Sequence, residues 1–212
     1  MKTALTARGL SRAAGTRTLW SDLDFTVESG RSLALTGPSG SGKTTLLRCL
    51  SSIARPDAGR ILLGGTRIDQ LGAKDQREFL RSTCGLVFQD YALVGEWTVT
   101  ENVCVVRPRG VPKGVLAQRS RDALIRVGLG GRGAEPTSRL SGGEQQRVAV
   151  ARILVQSPRL VIADEPTAAL DDVSAAKVRW ALGALREMGA IVVVATHDPV
   201  LVDWCDDALA LG

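Results

Sequence analysis

Rings are scarce in this chain: four Trp, three Phe and one Tyr among 212 residues. With 23 glycines beside them, the composition favours tight backbone turns over an aromatic-lined ligand pocket. The chain has a single histidine, and its four cysteines, Cys49, Cys84, Cys104 and Cys205, form no C-x-x-C pair. Neither a zinc site nor a disulfide framework is expected, and free thiols in a reducing compartment are. No apolar run approaches the roughly 18 residues needed to span a bilayer. The N-terminus, MKTALTARGLSRAAG, lacks the apolar stretch of about 7 residues that a secretory signal needs. The expectation is a cytosolic chain that meets a membrane only through something else. Lysine is scarce too, with 5 Lys against 22 Arg. The net charge of +5 and pI near 9.4 admit polyanionic partners. The arginines are spread from end to end with no dense run, which fits a solvated surface rather than a DNA-binding stripe.

What is present is an ordinary globular balance, 44% hydrophobic and 23% charged, in a length suited to one domain with room for an inserted lobe. Short apolar segments alternate with helical patterns, which predicts an α/β fold with a largely parallel sheet. Strands are expected at Phe25–Val27, Ser32–Thr36, Arg60–Leu63, Gly85–Phe88, Leu160–Ala163, Ile191–Ala195 and Ala208–Leu211. Three of these are nearly pure apolar runs, as strands covered on both faces should be. Leu46, Leu47, Leu50 and Ile53 predict a helix after Thr44 that ends before the turn cluster Arg55-Pro56-Asp57-Ala58-Gly59. From Asp90 to Arg139 the chain is polar, interrupted by Pro108, Pro112 and Pro136, and expected to be helical only around Leu116–Val127. It reads as a smaller helical lobe set into the sheet domain.

Gly37-Pro38-Ser39-Gly40-Ser41-Gly42-Lys43-Thr44 matches G-x-x-x-x-G-K-[ST] between a predicted strand and a predicted helix. Glycines let the backbone curl its N–H groups toward phosphates, and the helix N-terminus adds partial positive charge. Lys43 would reach the β- and γ-phosphates, and the Thr44 hydroxyl would ligate Mg²⁺. From the chain's own composition, about 0.008 such matches would arise by chance. Asp164 and Glu165 follow the apolar run Leu160–Ala163. In a P-loop fold the first acid holds Mg²⁺, and the second is placed to polarise a water attacking the γ-phosphate. Leu140-Ser141-Gly142-Gly143-Glu144-Gln145-Gln146-Arg147 has capping-box spacing between Ser141 and Glu144, so a helix should run from there to about Gln156. Its paired glycines at a positive helix end also make it a second anion site. One nucleotide does not need two such sites in one chain, whereas a dimer would use both.

Taken together, these residues resemble the nucleotide-binding subunits of ATP-binding cassette (ABC) transporters over nearly the whole length. The likeness rests on GPSGSGKT, Gln89 after Gly85–Phe88, LSGGEQQR, LVIADEP, Ala169-Leu170-Asp171, and His197 after the last long strand. Leu140–Arg147 is the discriminating element, since P-loop kinases and small GTPases lack it. Val87–Leu93 and Thr98–Val103 look most like the short lipoprotein-releasing, peptide-exporting and cell-division subgroup. The resemblance implies a P-loop NTPase sheet core of the ABC type with an inserted helical subdomain. The chain would be one ABC ATPase domain, its core at about 1–89 and 157–212 and its helical part at about 90–156. It also implies roles. Gly37, Pro38, Ser39, Gly40, Ser41, Gly42, Lys43, Thr44 and Thr45 would bind ATP. Thr44, Gln89 and Asp164 would hold Mg²⁺, and Gln89 would also contact the attacking water and link the nucleotide to the helical lobe. Glu165 and His197 would join Gln89 in catalysis. Ser141, Gly142, Gly143 and Glu144 would bind the nucleotide held by a second copy, with Ser141 and Gly143 at its γ-phosphate, and Asp171 would lie at the dimer seam.

The family usually sets an aromatic residue about 29 positions before the P-loop lysine to stack on adenine, and here that position is Ala14. Trp20 and Phe25 fall where the family has core residues, although a bent strand could swing the Trp20 indole over the base. The expected function is an ATP-hydrolysing subunit that dimerises head to tail and drives an integral membrane permease for export or extraction. It would sit on the cytoplasmic face of the membrane, with no nucleic-acid partner. The alternatives implied are an ABC ATPase that regulates cell division or signalling, and a soluble ABC ATPase acting on nucleic acid.

Overall fold

Strand pairing divides the chain into two sheets. The computed structural model describes residues 3–87, 92–107, 110–168 and 170–212. In chain order these form β1 (Ala4–Ala14), β2 (Arg17–Glu28), β3 (Ser32–Thr36), α1 (Lys43–Leu50), β4 (Ala58–Leu63), β5 (Thr66–Arg67), α2 (Ala73–Ser82) and β6 (Cys84–Val87). There follow α3 (Val99–Val103), α4 (Lys113–Arg126), a 3-10 turn (Thr137–Arg139), α5 (Gly142–Gln156), β7 (Leu160–Asp164), α6 (Asp172–Glu187), β8 (Ile191–Ala195), α7 (Pro199–Trp204) and β9 (Asp207–Ala210). One sheet runs β2-β1-β4-β5 and is antiparallel. The other runs β6-β7-β8-β3-β9 and is parallel.

The apolar runs of β7 and β8 are divided between two cores. Leu160, Ile162, Ile191, Val193 and Ala195 pack on one face with α1 and the antiparallel sheet. Val161, Ala163, Val192 and Val194 pack on the other with α3, α4, α5 and α6. Side chains alternate across a strand, so burial on both faces requires an unbroken apolar sequence.

Most of the expected strands are present with ends shifted by a residue or two, and Phe88 lies outside the described residues. The exceptions are informative. β1 was not expected, and β2 extends from Arg17 to Glu28 rather than over Phe25–Val27. The buried residues of β1 are Leu5, Ala7 and Leu10, so the period-2 pattern slips by one residue. Register shifts in β1–β2 between Ala7 and Leu10 and between Leu10 and Arg12 account for the slip. Such bulges bend and twist a strand and erase its alternation. α1 stops at Leu50, and Ile53, expected on its apolar face, is 43% exposed. The segment expected to be helical only around Leu116–Val127 also holds α3, which is closed by a capping box between Thr98 and Glu101. α5 begins and ends where the Ser141–Glu144 spacing and Ser157-Pro158 put it.

Candidate functional site

Three neighbouring parallel strands bring most of the sequence-predicted residues together. Ala195, the last residue of β8, pairs with Leu35 of β3 on one side and Asp164 of β7 on the other. The loop after β3, the acids after β7 and the histidine after β8 therefore emerge side by side at the carboxyl edge of the sheet, where open α/β folds bind ligands.

The loop from Gly37 to Thr44 has no room for side chains at two of its glycines. Gly37 (φ +132°) would put a Cβ 2.1 Å from the Leu211 carbonyl oxygen, and Gly42 (φ +95°) would put one 2.9 Å from the Trp20 indole nitrogen. Gly42 is the N-cap of α1 and contributes no side-chain acceptor, so the first-turn N–H groups remain a positive helix end. Pro38, Ser39 and Gly40 form the exposed crest. The Lys43 ammonium folds back to donate to the carbonyls of Gly37 (2.7 Å) and Pro38 (3.1 Å). Ser41 Oγ is buried with no hydrogen-bond partner among the described residues, a cost that a phosphate oxygen would remove. Thr45 is half-buried in α1.

Thr44 Oγ1 donates to Asp164 Oδ2 at 2.7 Å. Glu165 departs from the strand with φ +47°, a left-handed conformation that costs a non-glycine residue about 1–2 kcal/mol. Its N–H donates to the Ala195 carbonyl at 2.9 Å, which fixes that turn against β8. Glu165 Oε2 accepts from the Thr196 hydroxyl (3.3 Å) and the His197 N–H (3.4 Å), and Oε1 lies 3.7 Å from His197 Nε2. The loops after β7 and β8 are also tied by Thr167 Oγ1 donating to Asp198 Oδ2 at 3.0 Å. Thr196, Thr167 and Asp198 were not singled out in the sequence. Thr196 sits directly before His197, but no spacing rule marks it.

Ser141, Gly142, Gly143 and Glu144 form a separate group at the start of α5. Ser141 Oγ accepts from the Glu144 N–H (3.3 Å), while the Ser141 N–H and hydroxyl donate to Glu144 Oε2 at 2.8 and 3.0 Å. Arg132 donates to Glu144 Oε1 and makes a two-pronged contact with Glu135 at 2.8 and 3.0 Å. The Ser141 N–H is the largest influence holding the Glu144 carboxyl below the usual carboxylate range; burial opposes this, and Arg132 adds to the lowering. Among the described residues, no hydrogen bond joins Ser141 or Glu144 to the P-loop or to Asp164, Glu165 or His197. Asp171 is the N-cap of α6 and accepts from the Ser174 N–H (2.9 Å) and hydroxyl (2.8 Å), bonds that lower its carboxyl from the usual value. Gln89 lies outside the described residues.

Ala14 is exposed at the end of β1, paired with Arg17 across the hairpin. The Arg17 guanidinium reaches the P-loop beside Gly40. Trp20 corrects the expectation that its ring could swing over a base. It is only 6% exposed, packed in the core beneath Gly42, because its inward register on β2 commits the ring to that core. Between α3 and α4 lies a cavity of about 500 Å³ lined by Trp97, Thr100, Glu101, Cys104, Arg107 and Leu116, among others.

The sheet edge and its loop define a P-loop nucleotide-binding domain. The family model described as ABC transporter matches residues 20–168. The chain is 39% identical over 222 residues to the lipoprotein-releasing system ATP-binding protein LolD 1 of Caulobacter vibrioides, covering 100% of this chain and 94% of that one. It is 41% identical over 197 residues to the macrolide export ATP-binding/permease protein MacB 1/2 of Paracoccus denitrificans, covering 91% of this chain. It spans 30% of that protein's length and 58% of the length of mycobacterial relatives. Among solved structures, the ATP-binding cassette MJ0796, as a dimer in a post-hydrolysis state bound to ADP and Pi, superposes with a TM-score of 0.88. It shares 29% identity and covers 98% of this chain and 94% of that one. The chain belongs to the ABC transporter family.

Proposed function

We propose that this chain is an ATP-hydrolysing subunit that dimerises head to tail around two ATP molecules and drives a membrane-spanning permease. The observation that carries this is the gathering of Lys43, Thr44, Asp164, Glu165 and His197 at one sheet edge, with no hydrogen bond among the described residues joining Ser141 or Glu144 to them. Each site would then be completed by a second copy, whose Ser141 and Gly143 meet the γ-phosphate and whose Asp171 lies at the seam. The curled loop, its helix end and Lys43 bind the triphosphate. Lys43 now bonded to loop carbonyls would exchange them for phosphate oxygens.

The residues present fit Mg²⁺. The Thr44 hydroxyl donates to Asp164 Oδ2 at 2.7 Å, so the two side chains that would hold the ion already meet at one point. Both are hard oxygen donors, and Gln89 would be the further ligand in the family pattern. When bound, the metal neutralises charge developing on the transferring phosphoryl group. Glu165 polarises a water: its oxygen attacks the γ-phosphorus, the bond to the β–γ bridging oxygen breaks, and a proton passes toward the carboxylate. Thr196 and the His197 N–H orient that carboxylate, and the His197 side chain would contact the γ-phosphate.

No helix among the described residues is long and apolar enough to cross a membrane, and in this reading the permease supplies the membrane-spanning part. We place the chain on the cytoplasmic face, with the helical part at about 90–156 and its cavity between α3 and α4 receiving that partner. Export or extraction is supported by the lipoprotein-releasing and macrolide-export relatives. The test pairs two measurements: ATP-dependent phosphate release by the purified chain, and affinity purification from native membranes with the co-purifying integral protein identified by mass spectrometry. A chain that releases no phosphate even with that protein present, or that recovers no integral protein, would overturn the reading.

A further inference from the structure

We propose that Arg132 is a positioning residue for the trans half of the ATP site: it neutralises Glu144 so that the Ser141 hydroxyl can turn to the partner's nucleotide. This rests on the reading above that Ser141 meets the γ-phosphate bound by the other copy.

The chemistry of the capping box sets the problem. The Ser141 hydroxyl has one proton, and here it is given to Glu144 Oε2 at 3.0 Å. To bind a γ-phosphate oxygen, Ser141 must give that same proton to the phosphate. The incoming phosphate is an anion, and the nearest group behind Ser141 is the Glu144 carboxylate. An unpaired carboxylate there would hold the proton more firmly and repel the phosphate. Arg132 answers both effects. One amino group donates to Glu144 Oε1, the oxygen that does not serve Ser141. The remaining donors grip Glu135 in a fork at 2.8 and 3.0 Å, which fixes the plane of the guanidinium. Glu135 is itself held by its backbone, whose carbonyl accepts from the Val99 N–H at 2.9 Å at the start of α3. Arg132 is therefore anchored from one side and presents its charge to Glu144 on the other. The pair is partly shielded, at 34% and 23% exposure, so salt screens it less than a fully exposed pair.

The test uses the full-length chain carrying Glu165→Gln, in which ATP-bound dimers should persist. Dimer formation is followed by size exclusion with light scattering across an ATP titration, and monomer affinity by a fluorescent ATP analogue at low protein concentration. Arg132→Gln should weaken each trans contact by about threefold. With two sites per dimer the dimerisation constant should fall about tenfold; because the dimer holds two ATP, the ATP needed for half-dimerisation should rise about threefold, while monomer affinity stays at the parent value. Adding Glu144→Gln to Arg132→Gln removes the exposed charge and should restore dimerisation to within about twofold. A merely structural role for Arg132 would not be rescued in this way, so a loss that Glu144→Gln fails to reverse overturns the proposal. So does parent-like dimerisation by Arg132→Gln. Ser141→Arg separates the two readings. If it too leaves the dimer intact, the in-trans assignment of Ser141 fails; if it alone abolishes the dimer, only the role of Arg132 fails.

Discussion

Glu165 and His197 face each other from the ends of adjacent strands, with Oε1 and Nε2 3.7 Å apart, a separation beyond direct hydrogen bonding. The carboxylate is oriented instead through its other oxygen, by the Thr196 hydroxyl at 3.3 Å and the His197 N–H at 3.4 Å. Glu165→Gln keeps the shape and removes the basic oxygen. It should leave ATP binding intact, lower turnover by about 10²-fold or more, and leave a dimer that persists with ATP and Mg²⁺ on size exclusion. Turnover at the parent rate would remove Glu165 from the catalytic role.

Thr196 offers a finer test of the same geometry. Its hydroxyl also accepts from the Asp198 N–H at 3.0 Å, and the residue is buried. Thr196→Val keeps the volume but frees Glu165 to rotate. The expected result is a fall in kcat of about tenfold or more with KM for ATP little changed, since one hydrogen bond to a charged group is worth about 1.5–3 kcal/mol. Thr196→Ser should restore most of the rate. A Ser variant as slow as the Val variant would mean that packing, not the hydroxyl, is what matters.

The two halves of the proposed composite site can be separated by mixing variants. Ser141→Arg should abolish ATP-dependent dimerisation while monomer ATP affinity stays near the parent value. Lys43→Ala should weaken monomer binding directly. A mixed dimer of the two retains one site with both halves intact, and recovery of hydrolysis on mixing would report it. Equal loss of monomer affinity in both variants would show that Ser141 serves its own chain's nucleotide.

The parts of this molecule that were legible in the sequence are those where a local rule acts alone. Leu160–Ala163 and Ile191–Ala195 are strands because burial on both faces demands continuous apolar residues. α5 starts where Ser141 and Glu144 satisfy each other. β1 was not legible, because bulges shift Leu10 out of the alternation begun by Leu5 and Ala7. α3 has a capping box as complete as that of α5, but five residues are too few to show an apolar period. At the site, Lys43, Thr44, Asp164, Glu165 and His197 were visible as motifs, and the register of Ala195 explains why they meet. Arg132 was invisible, since it lies 12 residues from Glu144 in a loop with no pattern of its own.

Asp69 gives a pH prediction outside the site. Its carboxylate accepts from the buried Ile61 N–H at 2.9 Å and from Arg67 at 2.6 Å. Burial acts to raise its pKa, and the Arg67 guanidinium and the Ile61 N–H outweigh that, so the net shift is downward. A carboxyl lowered on folding contributes stability that is present above its unfolded value, about 3.9, and lost as pH falls through the lower folded value. Asp69→Asn should cost about 1–2 kcal/mol at neutral pH and flatten the stability profile below about pH 4. Urea unfolding of both chains between pH 7 and 3 would check this, and an identical slope in the two profiles would count against it.

The base of the nucleotide is the remaining question, and it turns on Ala14. With Trp20 packed beneath Gly42 at 6% exposure, its ring cannot turn outward without unpacking the loop. Trp20→Ala should accordingly cost about 3–5 kcal/mol of stability, read as a fall in Tm, which marks the residue as core. Ala14 itself is exposed at the hairpin, opposite the arginine that reaches Gly40. A missing aromatic face is worth about 0.5–1.5 kcal/mol, or about a 2- to 13-fold weaker affinity for ATP. The triphosphate contacts that carry binding do not read the base, so GTP should compete with ATP unusually well. Ala14→Tyr should tighten ATP by about that factor, chiefly through slower dissociation. Competition binding of ATP and GTP to the parent and to Ala14→Tyr tests both points. A parent chain that already prefers ATP strongly, and a variant that changes nothing, would show that the base is recognised elsewhere than at the end of β1.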